Sequence, residues 1–355
     1  MPDRKRPTAG KTTAGKTGKT TSSSGPTKTR GGRPADRAAV RAKARGDGPV
    51  GGTPVQAGDA PVRAGGAAAR GSVRVGVRKT YKLFIGGAFP RSESGRSYPA
   101  AGPDGAVLAH VAMASRKDAR DAVVAARKAV AGWAGATAYN RGQVLYRVAE
   151  LLQGRAAQFT AESVANEGVS RAEAERAVTE AIDRWVWYAG WPDKVAQMTG
   201  SANPVAGPYF NFSVPEPTGV VAVIAPAAPG LLGLVSVLAP VIATGNAAVV
   251  VASESVPLPA VTLAEVLATS DVPPGVVNTL TGRTAELAPV LAAHMDVNAI
   301  DLTGADVADR AGLARMAAGN VKRVLVSDDV WAAPPGPERM LAFLEIKTVW
   351  HPIGI

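Results

Sequence analysis

Residues 217–282 read PTGVVAVIAPAAPGLLGLVSVLAPVIATGNAAVVVASESVPLPAVTLAEVLATSDVPPGVVNTLTG, and this stretch decides the fold. Val220–Ile224 is a short apolar, largely β-branched run closed by a Pro- and Ala-rich loop, as expected of a strand buried on both faces. Residues 231–244 continue as an apolar run of helical length, and residues 249–251 return to β-branched side chains. Strand, helix and strand joined by short loops predict two parallel neighbours linked by a right-handed crossover. Pro226, Pro229, Gly230, Pro240 and Gly245 interrupt the region, so no apolar run reaches the roughly 18 residues that a membrane helix needs.

Several marks then fall in a fixed order: Ala-Thr-Gly-Asn at 243–246, Glu254-x-x-Pro257-Leu258, and Pro-Pro-Gly-Val-Val-Asn at 273–278. In order and spacing they resemble the aldehyde dehydrogenase superfamily. The resemblance runs from about Tyr81 to the C-terminus. KLFIGGAFPRSESGRSYP (82–99) looks like that family's opening hairpin, and YAGWPDKV with GPYFNFSVPEPTGVV looks like the helix end and hairpin before its cofactor domain. EIKTVWHPIG (345–354) looks like its terminal strand. Between Asp329 and Glu345 only a short Pro-rich stretch stands where the family carries most of its catalytic domain. The resemblance implies an α/β fold, a Rossmann-type parallel sheet with flanking helices and an oligomerisation hairpin. Residues 1–79 read as a disordered basic tail, 80–330 as a cofactor-binding domain, and 331–355 as a Pro-rich linker with an oligomerisation strand.

Composition narrows the chemistry. The 355 residues, 46% of them hydrophobic, suffice for one large or two ordinary domains. There is no cysteine, which excludes a disulfide framework, a thiolate metal site and a cysteine nucleophile within this sequence. His110, His294 and His351 are scattered and lack spaced acidic partners, so neither a metal site nor a His-based triad is expected. The net charge of +11 is uneven: residues 1–79 hold 18 Lys/Arg against 4 Asp/Glu, and the remainder holds 22 against 25. Such a tail, almost free of large apolar side chains before Val73, cannot offset its ordering entropy. Weak contact with polyanions is one use for it; without interleaved aromatics, a solubilising extension is the preferred reading. The opening MPDRKRPTAGKTTAGKT has no apolar core of a secretory signal, and a cytoplasmic protein is the expectation.

Helix starts are legible as well. Ser115 with Asp118, and Ser170 with Glu173, have capping-box spacing, and Ala119, Ala122, Val123, Ala126 and Val130 recur at helical spacing behind the first. A further helix is expected from about Asn140 to Leu152. Trp185, Trp187, Tyr188 and Trp191 are spaced as a core stripe rather than as a stacking platform.

Position by position, the resemblance implies that the reagents are missing. The family's oxyanion-donating asparagine falls on Ala228, and the tryptophan before it on Ala227. Its ribose-binding lysine falls on Val251, while the acidic residue three positions on is kept as Glu254. Its second phosphate turn falls on residues 302–309, LTGADVAD, with Ala305 for the serine and Asp309 for the closing glycine. Asp306 and Asp309 thereby enter the first turn of a helix that should receive a phosphate, where they repel it. The general-base glutamate falls within Ser327-Asp328-Asp329-Val330.

No catalytic or metal residue is therefore assigned; Ile224, Pro226, Glu254, Thr303 and Gly304 remain as vestigial cofactor contacts. For Glu254 an ordinary helix-terminal charge is the preferred reading. NAD or NADP is implied by the resemblance alone, with binding weak or lost. The strand 208–214 and the strand 343–349, freed by a linker at 332–337 to reach a neighbouring subunit, would need partners for their open edges. The expected function is a non-catalytic subunit that assembles with itself or with an intact aldehyde dehydrogenase. One alternative is a weak or partner-dependent NAD(P)-dependent oxidoreductase acting on aldehydes, and another is a polyanion-binding protein acting through the tail.

Overall fold

The computed structural model describes residues 78–328 and 331–354; the expectation of disorder for residues 1–79 falls, but for Arg78 and Lys79, outside them. A small sheet of order β1-β3-β2 opens the fold, from β1 (Thr80–Tyr81), β2 (Ser97–Ala101) and β3 (Val107–Ala112). Helices α1 (Arg116–Gly135), α2 (Ala138–Gly154), α3 (Ala156–Glu167), α4 (Arg171–Ala189) and the short α5 (Val195–Thr199) follow. Both expected capping boxes form: Ser115 with Asp118 starts α1, and Ser170 with Glu173 starts α4. Strands β4 (Ser201–Asn203) and β5 (Tyr209–Pro217) form the hairpin leading to the main sheet.

That sheet alternates strands with helices: β6 (Val220–Ile224), α6 (Gly230–Ala243), β7 (Ala247–Val251), α7 (Leu258–Leu267), β8 (Val277–Leu280), α8 (Thr284–Ala293), β9 (Ala299–Asp301), α9 (Val307–Ala317) and β10 (Arg323–Leu325). The strand order is β10-β9-β6-β7-β8, with every pairing parallel. Period-two alternation divides these strands between two cores. Val221, Val223, Ala248 and Val250 pack with α2, α3, α4 and α6. Val220, Ala222, Ile224, Val249 and Val251 pack with α1, α8 and α9 on the other face. All fourteen residues of α6 are buried, which explains why it has no polar face in the sequence. The aromatic end of α4 behaves as a core stripe: Trp185 and Tyr188 are buried, and Trp187 and Trp191 pack against the same core.

The Ala-Thr-Gly-Asn mark has a structural explanation. Asn246 is fully buried; its Oδ1 accepts from the Gly219 amide at 2.7 Å, while its Nδ2 donates to Thr244 Oγ1 and to the Phe343 carbonyl, both at 2.9 Å. One amide side chain thus ties the start of β6, the end of α6 and the chain just before the terminal strand. Gly245, with φ +91°, makes the turn between α6 and that asparagine in a region where only glycine is unstrained.

After β10 come α10 (Glu338–Leu341) and β11 (Leu344–Pro352). The linker expected at 332–337 is held at its start, and the chain beyond it is packed into the fold. Met340 and Phe343 are fully buried in the core with α4 and α6, and buried Arg184 of α4 donates to the carbonyls of Trp331 and Ala333, each at 2.7 Å. Nor does the last strand leave its own chain: β11 pairs antiparallel with β5 along nine residues, from Leu344 opposite Pro217 to Pro352 opposite Tyr209. From Glu345 to Pro352 only Val349 is partly buried. Among the described residues, no layer buries the side chains of β11 from Glu345 to Pro352 beyond the partial cover of Val349. Among the described residues, no helix is long and apolar enough to cross a membrane.

Asn246→Ala should cost at least about 2 kcal/mol in urea denaturation, because it leaves the Gly219 amide and the Phe343 carbonyl buried and unpaired. Asn246→Asp, which retains only the acceptor, should be no better.

Candidate functional site

A cleft of about 480 Å³ opens at the carboxyl ends of the central strands, where open parallel sheets bind ligands. Ala225 and Ala227 after β6, Ser253 and Glu254 after β7, Arg283 after β8 and Gly304 after β9 line it. Of the five vestigial contacts, Glu254 and Gly304 line this cleft, whereas Ile224, Pro226 and Thr303 do not. The Ile224 carbonyl accepts from the Gly304 amide at 3.1 Å, and a Cβ on Gly304 would stand 2.2 Å from the Ala225 carbonyl oxygen. Glycine is demanded there by the close approach of two loops, with no ligand required. Pro226 packs against the first turn of α6, beside Gly233.

Glu254 is spent locally. Its Oε1 pairs with Arg283 Nη1, and its Oε2 accepts from the Thr284 amide at the start of α8, at 3.3 Å. This is the helix-terminal role that sequence reasoning preferred.

Across the cleft, the Thr303–Gly304 turn is organised by a buried ion pair. Asp301 Oδ1 accepts from the amide and hydroxyl of Thr303, at 2.9 and 2.5 Å, and Oδ2 pairs with Arg339 Nη1 at 2.6 Å. Arg339 Nη2 also donates to Thr303 Oγ1 at 2.9 Å, and the guanidinium lies 5.5 Å from the Trp331 ring centroid. Burial pushes the Asp301 carboxyl above its ordinary range, and the Arg339 charge is the largest influence opposing that rise.

The replaced phosphate turn carries two carboxylates and little compensation. Asp306 is the N-cap of α9 but makes no capping hydrogen bond, and neither it nor Asp309 has a side-chain partner among the described residues. Arg310 lies behind the turn, donating to the Thr303 and Ala305 carbonyls and pairing with Asp328. Asp328, within the stretch where the resemblance places the general base, is 86% exposed in that pair; Asp329 lies outside the described residues. A dinucleotide's phosphates need amide or cationic donors at this helix end; the carboxylates present do not fit them. Among the described residues, no three His, Cys, Asp or Glu side chains are grouped to hold a metal.

Sequence reasoning missed Tyr98, Asp301, Arg184 and Arg339. Tyr98 lines the cleft at 8% exposure with its hydroxyl enclosed; burial, and next the charge of Glu254, push its titration upward. Asp301 had one signal, an isolated acid ending an apolar strand.

The sequence profile of the aldehyde dehydrogenase family matches residues 90–327. The chain belongs to the aldehyde dehydrogenase family. An aldehyde dehydrogenase of Davidiella tassiana is 32% identical over 244 residues, covering 68% of this chain and 49% of that protein. Retinal dehydrogenase 2 of Gallus gallus is 35% identical over 254 residues, covering 69% and 48%. An NAD+ complex of an aldehyde dehydrogenase from Bacillus cereus superposes with a TM-score of 0.67 at 27% identity, over 70% of this chain and 50% of that one. The chain thus spans about half the length of the relatives it matches.

Arg339→Met, by leaving the Asp301 carboxylate buried and unpaired, should cost about 3–5 kcal/mol at pH 7. Because burial raises this carboxyl in the folded state, the deficit should shrink as pH falls from 7 toward 4 and the acid protonates. Adding Asp301→Asn should restore much of the loss at pH 7; urea titrations across that range check both.

Proposed function

We propose that this chain is a non-catalytic subunit of the aldehyde dehydrogenase family, working in the cytoplasm and assembling with itself or with an intact relative. We propose further that it binds NAD or NADP weakly or not at all. The observation that carries the assembly reading is the uncovered sheet β11-β5-β4. Phe210, Ile346, Trp350 and Ile353 are each at least half exposed, and Tyr209 is 43% exposed. Beside these side chains, β11 offers a second edge with no strand paired to it among the described residues. An apolar surface next to an open edge is an aggregation hazard in a solitary chain and a docking surface in an assembled one.

The loss of chemistry is supported separately. Formation of a thiohemiacetal needs a thiolate, and the sequence contains no cysteine. Ala228 has no donor for a developing oxyanion. For the cofactor, Glu254 is committed to Arg283 and to α8, Val251 cannot grip a ribose, and Asp306 and Asp309 oppose phosphate at α9.

Light scattering on the full chain, alone and co-expressed with an intact aldehyde dehydrogenase, tests the reading. The expected result is a dimer or larger species, or a mixed complex, that Ile346→Glu with Trp350→Ala converts to monomer at unchanged melting temperature. A monodisperse monomer under both conditions would overturn the assembly reading. Oxidation of short aldehydes above background by the purified chain, with NAD or NADP, would overturn the non-catalytic one.

A further inference from the structure

We propose that the cavity between the end of α1, the start of α2, α5 and the end of β5 binds a small organic carboxylate, an anionic head on a compact apolar body. Its volume is about 540 Å³, and it shares no lining residue with the cleft at the carboxyl ends of the strands. Two charged side chains line it, Arg141 of α2 and Glu216 of β5. Glu216 is engaged already, its Oε1 pairing with Lys347 Nζ at 2.8 Å. Arg141 makes no ion pair among the described residues: its hydrogen bonds go to backbone carbonyls. Burial pushes its titration down, and no carboxylate opposes that shift.

The helix ends around the cavity leave part of this guanidinium unused. Arg141 Nη1 donates to the Ala134 and Ala136 carbonyls, at 3.3 and 2.5 Å, and so answers the carboxyl end of α1. The carboxyl end of α6 reaches the same cavity at Ala243 and Thr244, but it is closed from within. There Thr244 Oγ1 donates to the Pro240 and Val241 carbonyls, and the Gly245 amide donates to that of Ile242. Arg141 Nη2 has no acceptor among the described residues, and Nε is enclosed without one. A guanidinium carries its N–H donors in a planar fork and has no acceptor of its own, so the group that completes it is an oxygen anion. With Nε enclosed, that anion meets Nη2. A partly buried cation without a counter-ion is a cost that a bound carboxylate removes.

The walls describe the rest of the ligand. Val130, Pro192, Val195, Pro215, Pro217 and Leu344 give the cavity an apolar lining around its single cation. Phosphate esters fit poorly, because a phosphate asks for several amide or cationic donors and the lining supplies one guanidinium. The chain as a whole carries +11, most of it in residues 1–79, and attracts anions diffusely, so a local site is recognised by saturation and by its response to single substitutions.

Calorimetric titration of the full chain at low ionic strength with hexanoate, hexan-1-ol and hexylamine tests the assignment. Hexanoate should bind one site per chain, the alcohol about tenfold or more weaker, and the amine not at all. Arg141→Gln should weaken hexanoate about tenfold or more and leave hexanol unchanged. Because that change also withdraws a donor from the end of α1, a second variant keeps the guanidinium in place. Ala138→Phe, three residues before Arg141 on the same side of α2, should fill the cavity and abolish saturable hexanoate binding at unchanged melting temperature. No saturable hexanoate binding, equal binding of acid and alcohol, or hexanoate binding indifferent to either variant overturns the proposal.

Discussion

A guanidinium drawn into the end of a parallel sheet joins residues 331–343 to the rest of this molecule. Arg339 comes from a thirteen-residue segment, 331–343, and meets Asp301 at the last residue of β9 with no water-exposed surface left on the carboxylate. A buried acid unpaired at that position would be several kcal/mol less favourable, so the segment and the sheet end stabilise each other or fail together. Arg184 secures the same segment from the other side by holding two of its carbonyls, and Met340 and Phe343 complete the core beneath it. Residues 331–343 therefore cover the carboxyl end of β9.

The same contacts shape the cleft at the carboxyl ends of the strands. The Thr303–Gly304 turn, placed in the family where phosphate is received, is satisfied from within by Asp301 and Arg339 and by the Ile224 carbonyl. Glu254 is likewise satisfied by Arg283 and by the start of α8. Glu254 and the Thr303–Gly304 turn thus have protein partners already, while Asp306 and Asp309 have no side-chain partner among the described residues.

Much of this was legible in the sequence because it is local. Strand periodicity put β6 at residues 220–224 without error and fell two residues short at the start of β7, since Ala247 and Ala248 carry no β-branched signal. Capping boxes located α1 and α4, and the apolar run 231–244 located α6. What escaped is non-local. Arg339 and Asp301 lie 38 residues apart, and Asn246 and Phe343 lie 97 apart; no spacing rule links them. The Pro-rich look of 332–337 pointed to a free linker, because composition reports backbone stiffness and says nothing of two arginines waiting in the fold. The pairing of β11 with β5 was hidden for the same reason: an alternating strand states which faces differ, not which neighbour it will take.

The account stands on the closure of the sheet end by residues 331–343, and native-state hydrogen exchange on the full chain tests that most directly. Peptides covering 338–349 should show protection close to that of β6 and β7 and should lose it in the same cooperative opening, because Phe343, Met340 and Arg339 are parts of the same body. Exchange of this segment within seconds, while the central strands stay protected, would show that it merely rests on the surface and would contradict the account.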